Sequence, residues 1–446
     1  MTTKIGMVSL GCPKNEVDAE LMLGILKREG YEITNSAGEA GLIIVNTCGF
    51  ITAAKQESIE TILDLARLKK SDGRPYILVA GCLSQRYGNE LLSEMEEIDG
   101  VMGTNEVEQV AEVVNRITGG ERVLAVGAAN SLCHDHRVRE SLHPSATAYV
   151  KIAEGCVNHC SYCAIPSIRG PFRSRPMESI TGEVRELTRR GVKEVILVAQ
   201  ETTRYGLDIY GEYKLAELLR RLAASGEPEW LRFLYCYPTS VTGELIKVMA
   251  QESKICNYID LPLQHASNSI LRRMNRRGSK EDIIRLIEKL RSSIPGLTLR
   301  TTFIVGFPGE TEADFQELLE FMEHVKFERA GVFAYSAEEG TPAASMPGQV
   351  PEDVKLAREE EAMLLQRGIS LANNRRKIGQ KVKVLVEGFD EDQGFFFGRT
   401  SADAPDVDGR VYFTGGPGVK PGMFVPVRIV QVDEYDLTGE LAYESA

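Results

Sequence analysis

Short apolar segments alternate with helix-patterned ones along most of the chain, and this rhythm limits the possible fold more than any other feature. KIGMVSL reads as a buried strand, and VDAELMLGILKREGY as an amphipathic helix ending near Gly30. GLIIVNT, PYILVAG and the intervening AAKQESIETILDLARLKK continue the pattern. Parallel strands need a helical crossover between them, so the class is α/β and residues 1–120 read as a doubly wound parallel sheet. Residues 121–145 are mixed and polar and read as a linker. A second series follows, with strand candidates TAYVKIA, EVILVAQ, LRFLYCYP, NYIDLPLQ, LTLRTTFIVGF and RAGVFAYS. Six such units over residues 146–372 predict a partial (β/α) barrel with its site at the C-terminal strand ends. Beyond a charged helix, EDVKLAREEEAMLLQRGISLANNRRKIG, the pattern changes to four short alternating strands: KVKVLVEGF, GFFFGRTS, GRVYFTGG and MFVPVRIVQVD. Residues 373–446 thus read as a small all-β barrel.

Composition excludes several functional classes. No apolar stretch is long enough to span a membrane, and the N-terminus lacks a cleavage signal, so a cytoplasmic chain is expected. In that compartment nine cysteines speak for metal or catalytic work rather than a disulfide framework. A net charge of −12 disfavours a general nucleic-acid binder.

The strongest local signal is EGCVNHCSYC, which spaces Cys156, Cys160 and Cys163 as C-x3-C-x2-C. Iron–sulfur clusters are held by thiolates, normally four. Three leave one iron open, as a reactive metal site requires. His159 lies inside the loop and reads as a spacer. The loop follows the first strand of the second series, where a barrel builds its site.

Three other cysteines share one placement. Cys12 follows KIGMVSLG, Cys48 follows LIIVNT and Cys82 follows PYILVAG, each just past a predicted parallel strand. Such ends lie along one edge of an open sheet, so three residues distant in sequence should meet in space. Singly, each would read as an inert buried thiol; together they read as a second three-thiolate site. Cys236 and Cys256 read as packing residues. Cys133, His134, His136 and His143 in the linker fit no structural zinc spacing, and a polar connector is the preferred reading.

The C-x3-C-x2-C loop, with Tyr162 before its last cysteine, resembles the signature of the radical S-adenosylmethionine superfamily. The resemblance implies a 4Fe–4S cluster on Cys156, Cys160 and Cys163. Its open iron chelates S-adenosylmethionine, whose reductive cleavage yields a 5′-deoxyadenosyl radical. LGCPKNEVDAE, VNTCGF, AGC, EGCVNHCSYCAIPSIRGPFRSRP, LPLQHAS and TFIVGFPGET extend the likeness over the whole chain to the methylthiotransferases. That layout implies a second 4Fe–4S cluster on Cys12, Cys48 and Cys82, and S-adenosylmethionine used twice, to methylate sulfur and to make the radical. It also implies a TRAM-like C-terminal barrel for substrate recognition, an electron donor and a sulfur donor. Contacts to S-adenosylmethionine are expected from Tyr162, Gln200, Arg300 and Gly306. Gly306 and Gly309 would let backbone approach a ligand closely, although a plain strand-to-helix turn explains them equally well.

Glu201, Asp260, Gln264 and His265 also fall at predicted strand ends without assignable roles, and Glu201 stands where the family pattern carries an aspartate. Arg169, Arg173 and Arg175 in RGPFRSRP read as a solvated basic run, or as one that steers an acidic group. Over residues 378–446 six basic residues face twelve acidic ones, a net of −6. An acidic surface repels phosphate, so the strip SADAPDVDG suits a basic protein partner better than RNA. With SLGCPKN and RGPFRSRP this resembles the RimO-type branch, which implies methylthiolation of the β-carbon of an aspartate in small-subunit ribosomal protein number twelve. Methylthiolation of a tRNA adenosine and a non-catalytic iron–sulfur electron carrier are the competing readings.

Overall fold

The computed structural model describes residues 3–70, 73–128, 139–141, 145–225, 228–416 and 418–442; the linker residues Cys133, His134, His136 and His143 lie outside them. Six strands form the first sheet: β1 (Lys4–Ser9), β2 (Glu32–Thr34), β3 (Leu42–Thr47), β4 (Tyr76–Gly81), β5 (Gly100–Met102) and β6 (Val123–Ala125). Their order is β2-β1-β3-β4-β5-β6, parallel throughout. The central β3 is buried along its whole length, as a strand covered on both faces must be. Helices α1 (Pro13–Arg28) and α4 (Val110–Thr118) join one apolar cluster, while α2 (Thr52–Ala66) and α3 (Cys82–Glu94) pack with another. The sheet is therefore doubly wound. It also runs past residue 120, because β6 pairs with β5 in a stretch read as linker. Three residues are too few to show an alternating pattern.

The second series gives β7 (Thr147–Lys151), a small β8 (Ala153–Glu154) and β9 (Arg173–Ser174) pair, β10 (Glu194–Val198), β11 (Trp230–Phe233), β12 (Tyr258–Asp260), β13 (Thr298–Val305) and β14 (Arg329–Ala334). Parallel sheets β11-β10-β7 and β12-β13-β14 meet through a single bridge, Leu231 to Ile255. All six large strand candidates are present, and the barrel is partial. The helix Glu352–Arg375 packs against its last strand. A closed five-stranded barrel completes the chain, with β15 (Lys381–Asp390), β16 (Phe395–Arg399), β17 (Val411–Thr414), β18 (Phe424–Val432) and β19 (Leu437–Leu441). The fifth strand, LTGEL, escaped the sequence reading because a glycine interrupts its alternation.

Helix α1 departs from the amphipathic expectation. Its apolar face covers the first sheet, yet Lys14, Asn15, Asp18 and Glu20 are buried too, because its other face lies on β7. The central domain and the segment leading into it supply their partners. Lys151 and Arg169 pair with Asp18, and Arg139 pairs with Glu20. One apolar cluster runs through all three domains, from Val17 and Leu21 of α1 through Tyr149, Ile196 and Tyr258 to Leu385 and Ala404 of the C-terminal barrel.

Candidate functional site

The N-terminal cysteines lie at the C-terminal edge of the first sheet. Cys12 is the N-cap of α1, with Pro13 following, and its side chain makes no capping bond. Cys82 opens α3, and Cys48 immediately follows β3. Neighbouring glycines let the three loops close on one another. A Cβ on Gly11, whose φ is +90°, would stand 2.8 Å from Cys48 Cβ, and one on Gly49 would stand 2.7 Å from the Leu83 nitrogen. Ser58 fixes the Cys48 loop, accepting its N–H at 3.2 Å and donating to its carbonyl at 3.1 Å. The three thiols lie close enough to influence one another electrostatically. Burial pushes the Cys82 thiol up to about 11 against the opposing pull of Arg169, and burial also raises Cys48.

The C-x3-C-x2-C loop is pinned from several sides. Cys156 N–H donates to the Gly170 carbonyl at 3.1 Å, Ser161 Oγ to the Arg273 carbonyl at 2.8 Å, and Asn275 to the His159 carbonyl at 2.8 Å. His159 is exposed and adopts a left-handed φ of 49°, the geometry of a turn residue. Arg276 lies 3.9 Å from Cys160 Sγ and stacks on the Tyr237 ring. Burial raises the thiols here as well, Cys163 to about 12 and Cys156 more modestly. Tyr162 packs under the loop against Ile270, Met274 and Phe307.

The two triplets share one region. Cys82 packs against Ala164 and Ile168, and Ala164 directly follows Cys163. Among the described residues no three Cys, His, Asp or Glu side chains converge tightly enough for a single metal ion. A multi-iron cluster takes each thiolate on a different iron, so its ligands stand wider apart. A set of thiolates alone, three per site, suits iron and sulfur better than a hard oxygen-seeking cation.

A cavity of about 780 Å³ opens beside the N-terminal triplet, lined by Cys12, Glu16, Tyr235, Asp260, Arg300 and Asp406 among others. All three domains contribute to its wall. Arg300 donates to Asp260 at 2.8 Å, and Asp260 also accepts the Tyr235 N–H at 2.9 Å. Lys14 sits 3.3 Å over the Tyr235 ring. Gln200 donates to Glu154 at 2.6 Å. Glu201 accepts from Ser240 and Asn158, both at 2.7 Å, and burial raises its carboxyl despite these bonds. Gln264 works through its backbone, exchanging bonds with Thr302 and Ile304 of β13. His265 is fully buried, with Nδ1 accepting the Ser267 N–H at 2.9 Å and Nε2 standing 3.5 Å from Glu310.

Three expectations change. Gly306 has a φ of +70°, but the space over it is filled by Lys355, so packing of the helix Glu352–Arg375 already requires glycine there. Arg169 and Arg175 are buried rather than solvated, paired with Asp18 and Glu154 and with Glu183 respectively. The acidic strip is partly consumed in domain docking: Asp403 pairs with Arg329 at 2.6 Å, and Asp408 accepts from Tyr258 at 2.7 Å. Asp406 alone of the strip's three aspartates is exposed and lines the cavity. Sequence reasoning missed Asn15, which faces Cys82, and Arg276, which faces Cys160, because nothing local marks a polar residue that will face a thiol from another element; it also missed Asn158, whose partner Glu201 lies on another strand end.

Residues 150–322 match the Radical SAM superfamily, residues 4–103 an uncharacterized protein family, UPF0004, and residues 378–442 the TRAM domain. The ribosomal protein uS12 methylthiotransferase RimO of Pelotomaculum thermopropionicum is 57% identical over 99% of both chains. This chain belongs to the RimO family. The RimO protein of Desulforamulus reducens is 54% identical over 98% of this chain and 99% of its own. Among solved structures, the radical S-adenosylmethionine methyltransferase TsrM from Kitasatospora setae covers 77% of this chain and 74% of its own, with a TM-score of 0.58 and 16% identity. That likeness concerns the fold alone.

Proposed function

We propose that this member of the RimO family is a radical S-adenosylmethionine enzyme that places a methylthio group on the β-carbon of an aspartate in ribosomal protein uS12. The observation that carries the reading is the contact of Cys82 with Ala164 and Ile168, which joins the segment after Cys163 to the N-terminal triplet, beside a cavity lined by Cys12 and built from all three domains. Cys156, Cys160 and Cys163 would hold one 4Fe–4S cluster, and Cys12, Cys48 and Cys82 the other. When bound, these groups supply the reductive cleavage of S-adenosylmethionine and a site for the transferred sulfur. We assign residues 1–120, with the sheet extended by β6 through Ala125, to the second-cluster domain, the rest up to 145 to the linker, 146–372 to the radical core and 373–446 to substrate recognition. The work requires a one-electron donor and a sulfur donor, and its place is the cytoplasm. No described helix is long and apolar enough to cross a membrane.

The chain's own residues prepare the chemistry. Asn158 and Ser240 fix Glu201 next to the cysteine loop, where burial raises its carboxyl. Tyr162 anchors the cysteine loop in an apolar cluster, Gln200 follows β10 and bonds Glu154, and Arg300 lies within β13 and lines the cavity; S-adenosylmethionine contacts are expected from all three. The exposed Asp406 gives the cavity an acidic wall suited to a basic protein segment.

Anaerobic reconstitution followed by mass spectrometry of uS12 and of tRNA tests the proposal. The expected result is one methylthio group in place of hydrogen on a uS12 aspartate. Modified tRNA with unmodified uS12 would overturn it.

A further inference from the structure

Arg169 is a buried cation that the proposed chemistry does not use. It stands six residues after Cys163 at the end of α5 (Ile165–Arg169), and only 2% of it is exposed. Its side chain leaves the central domain and enters the N-terminal one. There Nη2 donates to Cys82 Sγ at 3.3 Å and to Asn15 Oδ1 at 2.6 Å. Nη1 donates to Asp18 at 2.7 Å and to Glu154 at 3.2 Å. Lys151 pairs with the same two carboxylates, and Gln200 donates to Glu154 at 2.6 Å. Two cations and two anions thus balance within the network. The guanidinium is oriented by partners on α1 and β8 and does not depend on the thiol for its position.

We propose that Arg169 is a positioning residue for the N-terminal cluster, donating to its Cys82 sulfur and raising its reduction potential. The inference rests on the reading that Cys12, Cys48 and Cys82 hold that cluster. Taking up one electron makes an iron–sulfur core more negative, and a buried positive donor at a ligand sulfur stabilises that state. A donor to a metal ligand also fixes the ligand's orientation. Because Arg169 belongs to the segment carrying the other three cysteines, one side chain ties the two triplets together. Lysine cannot reproduce the fork that spans sulfur, amide and carboxylates.

The test uses the full chain carrying Cys156→Ala, Cys160→Ala and Cys163→Ala, so that only the N-terminal cluster remains. A dithionite titration against mediators, followed by electron paramagnetic resonance, reads its potential. Arg169→Gln is expected to shift the one-electron equilibrium about tenfold toward the oxidised form, ~59 mV to the negative side. Arg169→Lys should fall between. An unmoved potential in both variants, with the iron retained, overturns the inference. A parent chain that binds no iron would instead sink the ligand assignment beneath it. If Arg169→Gln loses the N-terminal iron, the same substitution in the six-cysteine chain decides. Retained iron at Cys156, Cys160 and Cys163 supports a tie specific to the first site, and loss of both clusters overturns it.

Discussion

Glu16 lines the cavity one helical turn beyond Cys12, and burial, reinforced by Glu20 and Asp406, pushes its carboxyl up from 4.5 to about 7. The folded chain therefore holds this proton where the unfolded chain has released it. That contribution to stability is complete below about pH 4.5 and is lost as the pH rises toward 7. Glu16→Gln should flatten this part of the profile and leave the variant more stable than the parent above pH 7, as urea unfolding across the range would read. A parallel slope in both proteins would refute the assignment. The placement of Cys12, Cys48 and Cys82 along one sheet edge was legible at this scale because each follows an apolar run, a local and countable pattern. Arg169 was not, because arginine on a basic run looks solvated until an α1 carboxylate and a thiol from another domain close around it.

Among the elements, the starts of α2 and α3 carry the contact that holds the sheet edge against the central barrel. Lys55 and Arg86 both reach Glu338, at 2.9 and 3.2 Å, and Arg86 also donates to the Gly49 carbonyl beside Cys48. Glu338→Ala leaves two cations without their carboxylate. Amide exchange in α2 and α3 should then accelerate while β10 and β13 stay protected; an unchanged exchange map would show that the contact is dispensable. The same edge offers a direct count of metal. About eight irons per reconstituted chain are expected, falling by about half in Cys12→Ala, by colorimetric iron assay. Long elements such as β3 and β13 were readable from apolar runs. The three residues of β6 and the glycine-broken β19 were not, since they are strands only because a neighbour offers its edge.

At the scale of the whole molecule, charge that suggested a binding surface turns out to join domains. The Arg329–Asp403 pair is buried between the partial barrel and the C-terminal one. Asp403→Ala should cost about 3–5 kcal/mol by leaving a buried guanidinium uncompensated, visible as a lower urea midpoint. An unshifted midpoint would mean that water already reaches the pair. Counting acidic residues gave the right sign for the C-terminal domain but could not separate docking residues from Asp406, which faces the cavity. That distinction needs tertiary contacts and has no signature in composition.

The apolar cluster that passes from α1 through the barrel strands to Leu385 and Ala404 has an evolutionary consequence. Each unit borrows part of its interior from the other two, so none is an interchangeable cassette. Replacing the C-terminal barrel with that of a distant relative would substitute its surface and, in the same stroke, a portion of the core beneath the cavity that all three domains line. A change of surface on one unit is therefore felt in the interior of the other two.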